Sequence, residues 1–198
     1  LAAWAAAAHG AYYASHVFNP FFLAGTETLA YELWEQLGHC GPESVVLPVG
    51  NGSLLLGLYR GFSRLRAAGL VPRLPRLVAV QAAACAPIYH AFHAGHSAVE
   101  PAPRGPTVAS GLAIAQPARG SEILAALRDT RGTALCVSEE AILETRDALA
   151  RRGFYVEETS AVAVAALQEL VDISPAAGET TVVVLTGHGL KTASQALA

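Results

Sequence analysis

One lysine, Lys191, is all that the 198 residues contain, and charge is scarce altogether at 15% of the chain. The other twelve basic residues are arginines scattered along the sequence, and the formal net charge is -3. No basic field forms, which excludes nucleic acid as the expected partner. Long hydrophobic runs are also missing. Stretches such as Ala161 to Leu167 fall far short of the about 20 apolar residues that a membrane-spanning helix needs, so no membrane partner is expected. Cysteine is limited to Cys40, Cys85 and Cys136, an odd number that excludes a disulfide framework. No signal peptide is visible, and a reducing, cytoplasmic setting is expected. No initiator methionine opens the chain; Leu1 to Gly10 reads as the tail of a helix closed by a glycine cap. The expectation is a piece of something longer.

What is present is apolar and punctuated. Hydrophobic residues make up 53% of the chain, with 18 glycines breaking the runs, enough to bury the core of one large domain. β-Branched runs at Ala11–Ala14, Val45–Val49, Leu77–Gln81, Thr133–Val137, Tyr155–Val156 and Thr181–Leu185 read as strands. Helical spacing of apolar residues covers Thr28–Leu37, Ser53–Ala68, Pro87–Ala94, Glu122–Asp129, Glu139–Arg152 and Ser160–Val171. Ser138 before Glu139 and Glu140 reads as an N-cap, and Gly153 as the stop of the same helix. Val45–Leu47 and Val182–Leu185 are continuous rather than alternating, as strands covered on both faces are. The fold class that follows is α/β, with an open, mainly parallel, twisted sheet between helical layers. The proline-rich stretch Gly95–Gly105 reads as a surface loop.

Ligands on such sheets bind at the carboxyl ends of the strands, and two motifs lie there. Strand Val45–Val49 runs into Gly50-Asn51-Gly52-Ser53 and a helix. Glycines let backbone amides approach an anion, and the helix N-terminus adds positive potential. Asn51 tolerates left-handed geometry and Ser53 can cap the helix or offer a hydroxyl. The junction reads as a phosphate cup, although a tight turn has the same composition. Strand Thr181–Leu185 delivers Thr186 into Gly187-His188-Gly189, where a hydroxyl can bond a heterocycle nitrogen and glycines leave room for a flat ring. His90, His93 and His96, with Cys85 upstream, offer metal-ligand types. Spacings of three and three leave the outer pair of imidazoles badly aligned, so solvated histidines are the better reading. Cys40 and Cys136 read as small packing residues.

Taken together these segments resemble threonine synthases, in the tryptophan-synthase-β-like group of fold-type II pyridoxal-phosphate enzymes. Resemblance is carried by Tyr12–Pro20, Gly25–Glu32, Leu47–Ser53, Thr107–Ile114, Val156–Ala161 and the Leu-Thr-Gly-His-Gly-Leu-Lys ending at Lys191. It implies the carboxyl-terminal part of a large cofactor-binding domain over residues 1–198. By the same resemblance Gly50, Asn51, Gly52 and Ser53 hold the phosphate of pyridoxal 5'-phosphate. Thr186 faces the pyridine nitrogen, Gly111 lies beside the ring, and Glu157 lies near the cofactor face or serves as a helix N-terminal carboxylate. Ser15, His16 and Asn19 are candidates on the substrate wall. The family's Schiff-base lysine belongs to an upstream part, so no catalytic residue is assigned within this chain, and Lys191 is expected on the surface or in a structural ion pair. Phe22 stands where some threonine synthases carry an arginine for the phosphate of O-phosphohomoserine, and phenylalanine cannot bind phosphate. The implied activity is a lyase acting on a small amino-acid substrate, inactive as this piece alone and homodimeric at full length. A serine/threonine dehydratase-like β-eliminase and a non-catalytic anion- or partner-binding domain are the alternatives.

Overall fold

The computed structural model describes residues 7–173 and 179–191, without the side chains of 171–173. Two short helices, α1 (Pro20–Thr26) and α2 (Thr28–Gln36), precede strand β1 (Ser44–Pro48) and the long helix α3 (Ser53–Ala67). Strand β2 (Arg76–Ala82), helix α4 (Pro87–His93), helix α5 (Gly120–Asp129) and strand β3 (Thr133–Val137) follow. Helices α6 (Glu139–Arg151), α7 (Glu158–Ala165) and α8 (Leu167–Ile173) then lead to strand β4 (Thr181–Val183).

The four strands pair in the order β3-β2-β1-β4, all parallel. Strand β1 is central, and every one of its residues is buried. That burial is why its sequence is apolar without alternation. Val45 and Leu47 face a layer that includes Leu55, Phe62 and Leu127, while Val46 faces Ile142, Val162 and Ala163 on the other side. Removing a side chain such as Leu47 from water is worth about 1.5–3 kcal/mol, so the double layer holds β1 rigidly where its loop begins. No described helix is long and apolar enough to cross a membrane.

Helix α3 is approached closely by α1 and α2. An added Cβ at Gly57 would lie 2.2 Å from Thr26 Oγ1, and one at Gly61 would lie 2.5 Å from the Ala30 Cβ. Each glycine is therefore a docking point, and the bulk of the α1–α2 unit rests on that stripe.

Several expected elements differ. Residues 11–14 form no strand: they run unpaired, with Tyr12 and Tyr13 exposed. Tyr155–Val156 reduces to a single antiparallel bridge between Val156 and His188. Strand β4 stops at Val183, although Val184 N still donates to Val46 O at 2.9 Å. It is half-buried rather than covered, because no described strand pairs with its outer edge. The helix expected over Ser160–Val171 breaks at Ala166 into α7 and α8. Helix α1 lacks a sequence signal apart from its Asn19-Pro20 start; Asn19 Oδ1 accepts from Phe21 N at 2.9 Å. Gly10 is left-handed as a cap requires (φ 64°), while residues 1–6 lie outside the described residues. The expected Ser138 cap is formed, its Oγ accepting from Ala141 N at 3.1 Å. Cys40 is exposed rather than packed, while Cys136 is partly buried within β3.

Candidate functional site

Chain order reverses at β1: β2 and β3 follow on one side and β4 joins on the other. A crevice at the carboxyl ends is the geometric result. A cleft of about 500 Å³ opens there, between the end of β1 and the residues following β4. It brings together Gly50, Asn51, Gly52, Ser53, Gly111, Glu157, Thr186 and His16, which come from separate motifs of the sequence. Ser15 and Asn19 do not line it. The carboxamide of Asn19 is occupied as the α1 cap.

The floor is built by the β1–α3 junction. Val49 N still donates to Val80 O at 2.8 Å, which keeps the chain in register with β2 until the loop turns. Gly52 then takes a left-handed conformation, φ 77° and ψ 12°, as the N-cap of α3. That corrects the sequence reading: the left-handed residue is Gly52 rather than Asn51, and Ser53 is the first helical residue rather than the cap. An added Cβ at Gly52 would lie 2.2 Å from Ile123 Cδ1, so position 52 is reserved for glycine by backbone and by packing. Without a capping side chain, the first-turn amides of α3 are left open. The N–H groups of Gly50, Asn51, Gly52 and Ser53 have no acceptor among the described residues. An anion at this point would meet unbonded N–H donors at the positive end of a 15-residue helix.

Gln81 supports this floor from outside every motif of the sequence. Completely buried, it donates from Nε2 to Val49 O at 3.1 Å and accepts at Oε1 from Ile88 N (2.9 Å) and Tyr89 N (3.1 Å). It thus ties the end of β1 to the first turn of α4. A glutamine inside an otherwise apolar strand is the one signal that could have marked it. Thr26, also unanticipated, reaches the cleft from α1 and donates to Leu23 O (2.9 Å) or Ser53 O (3.2 Å).

The opposite wall comes from the α7 start and the segment after β4. Thr186 is exposed to the cleft, and its Oγ1 lies 3.1 Å from the Oγ of Ser160. Glu157 is the N-cap residue of α7, but its carboxylate makes no capping bond. It is 7% exposed and pairs with Lys191, whose Nζ lies 2.9 Å from Oε2. Lys191 is both a surface residue and an ion-pair partner, and it borders the cleft. A Cβ at Gly187 would lie 2.1 Å from Glu157 Oε1, so a side chain there would displace the Glu157 carboxylate. Gly111 packs against both walls: its added Cβ would meet Thr159 Oγ1 at 3.1 Å, and its own carbonyl oxygen lies 3.1 Å from where a Gly50 Cβ would be. His16 and Phe22 close the rim as a ring pair, centroids 5.1 Å apart. Among the described residues, no arginine lines the cleft.

The remaining titratable candidates lie elsewhere. His93 Nε2 makes a 2.8 Å hydrogen bond with Ala134 O. Among the described residues no three His, Cys, Asp or Glu side chains gather as a metal site. Burial pushes the thiols of Cys85 and Cys136 up, holding them as poor nucleophiles.

Similarity to known proteins agrees with this geometry. Residues 1–187 match the family described as Pyridoxal-phosphate dependent enzyme. The chain is 37% identical to the threonine synthase of Methanosarcina acetivorans over 181 residues, 90% of this chain and 45% of that protein. It is 33% identical to the threonine synthase of Mycobacterium tuberculosis, over 90% of this chain and 48% of that one. The chain therefore spans about half the length of the curated relatives it matches. Among solved structures, a threonine deaminase from T.th. superposes with a TM-score of 0.69 at 28% identity, over 86% of this chain and 59% of that one. Maize serine racemase shares the fold, with a TM-score of 0.77 at 19% identity over 98% and 57%.

Proposed function

Because the chain belongs to the pyridoxal-phosphate dependent enzyme family, we propose that its cleft is part of a threonine-synthase-like lyase site. At its natural length the protein would convert O-phosphohomoserine and water to threonine and phosphate. The residues present fit the cofactor. Four consecutive uncommitted amides and the α3 N-terminus suit a dianionic phosphate ester, and a cleft of about 500 Å³ with Gly111 and Thr186 in its lining has room for a ring beside them. Gly50, Asn51, Gly52 and Ser53 would hold the phosphate, while Thr186 would present its hydroxyl to the pyridine nitrogen. When bound, the cofactor supplies the electron sink that stabilises negative charge on substrate carbon. A neutral hydroxyl at the ring nitrogen leaves that nitrogen largely unprotonated and moderates the sink. Glu157, ion-paired and buried beside Gly187, would keep negative charge on the cofactor side of the cleft.

The observation that carries this reading is the pairing of an open amide cup with the Thr186 hydroxyl across one cleft. Assay of the natural-length protein on O-phosphohomoserine and on L-threonine tests it. Phosphate release with threonine formation is expected, and ammonia with 2-oxobutanoate from threonine alone would favour the second reading, a serine/threonine dehydratase-like β-eliminase. Phe22 favours that alternative, because it puts an apolar ring on the cleft wall where a substrate phosphate would need a cation. The 198-residue chain alone is proposed to be inactive. Incubated with pyridoxal 5'-phosphate and borohydride it should yield no stoichiometric adduct on Lys191, and such an adduct in a peptide map would overturn this part. A cytoplasmic homodimer at natural length completes the reading, with sedimentation as its measurement.

A further inference from the structure

Ser160 is a completely buried hydroxyl in the first turn of α7, at a point where helix packing alone would be served by alanine. Its Oγ accepts from Gly187 N at 2.8 Å and lies 3.1 Å from two possible acceptors, Gly187 O and Thr186 Oγ1. A serine has one proton to give. Gly187 O already accepts from Glu157 N at 3.0 Å and does not depend on it. Thr186 Oγ1 has no other side-chain partner among the described residues.

Two arrangements follow from proton counting. If Ser160 donates to Gly187 O, Thr186 must donate to Ser160 and then shows the cleft only lone pairs. If Ser160 donates to Thr186, the Thr186 proton is free to point into the cleft. We propose that Ser160 is a positioning residue that orients the Thr186 hydroxyl as a donor toward the ring nitrogen of the cofactor. This rests on the reading that Thr186 faces that nitrogen. The chain of donors runs from Gly187 N–H to Ser160 O–H to Thr186 O–H, and each link polarises the next. The outcome is a stronger donor at Thr186, which favours the unprotonated ring nitrogen and lowers its proton affinity.

The test uses the natural-length holoprotein loaded with cofactor carrying nitrogen-15 in the ring, its chemical shift followed against pH. In Ser160→Ala the midpoint for ring protonation should rise by about one unit, a tenfold change equivalent to one neutral hydrogen bond. Thr186→Val should raise it by at least as much. Ser160→Cys, which keeps the shape but offers a weak donor, should fall between wild type and Ser160→Ala, and thermal melts check that each variant folds. A midpoint that moves in Thr186→Val but not in Ser160→Ala would overturn the inference and reduce Ser160 to a tie between α7 and Gly187. A midpoint that moves in neither variant would overturn the reading of Thr186 itself.

Discussion

The two ends of the same sheet solve opposite problems. At the amino ends of the strands, charge is paired off. Arg76 binds Glu179 at 2.9 Å, Arg73 binds Glu43 at 3.3 Å, and Glu43 also accepts from Thr180 N at 2.7 Å. At the carboxyl ends, the described residues bring no arginine to the cleft, and the backbone amides of residues 50–53 are left without acceptors among them. Arginine–carboxylate pairs thus mark the amino end, while the cleft carries one ion pair, Glu157–Lys191, beside a floor of glycine and open main-chain amides. A search for charged side chains would have chosen the wrong end. In the proposed reading, backbone donors held in place by a buried strand distinguish the site.

Perturbing each end should expose that asymmetry. The largest effect is expected from Gly52→Ala. Left-handed backbone and the Ile123 contact together should cost about 2–4 kcal/mol in urea unfolding. Titration should also show at least a tenfold loss of affinity for pyridoxal phosphate, because the amides must turn away. Gln81→Leu comes next. Leaving Val49 O and two α4 amides unpaired should cost about 2–3 kcal/mol and weaken cofactor binding through the loosened floor. Retained affinity in that variant would show that β1 holds the cup unaided. At the amino end, Glu179→Gln breaks a half-exposed pair and should cost only about 0.5–1 kcal/mol, with cofactor titration unchanged. The smallest effect concerns Tyr59, which bonds Asp129 at the amino end. Burial, then the Asp129 hydrogen bond, raises its phenol above 10.0. The raised group contributes fully below pH about 10 and loses that contribution as pH climbs through its folded value. Tyr59→Phe should flatten this part of the alkaline unfolding profile.

Much of the carboxyl end is legible in sequence because its signals are local. A buried strand, two glycines and a helix start are contiguous at residues 45–56, and the structure keeps them in that form. Thr133–Val137 emerges from sequence with its observed bounds for the same reason. What fails is non-local. The β-like composition of residues 11–14 finds no partner strand, so the segment stays unpaired and exposed. Strand β4 is half-buried because burial depends on a neighbour that its own residues do not specify. The Gln81 and Ser160 tethers join segments 32 and 26–27 positions apart, and no spacing rule within either segment encodes them. The α1 helix escapes notice because its seven residues are too few for periodicity to speak.

The central claim is that phosphate is held by main-chain amides at the carboxyl end. Amide chemical shifts of the nitrogen-15-labelled natural-length protein, titrated with inorganic phosphate and then with pyridoxal phosphate, test it directly. The prediction is saturable movement of Gly50, Asn51, Gly52 and Ser53, with Glu43, Arg73 and Arg76 still. Movement confined to Glu43, Arg73 and Arg76, with Gly50–Ser53 unmoved, would contradict it.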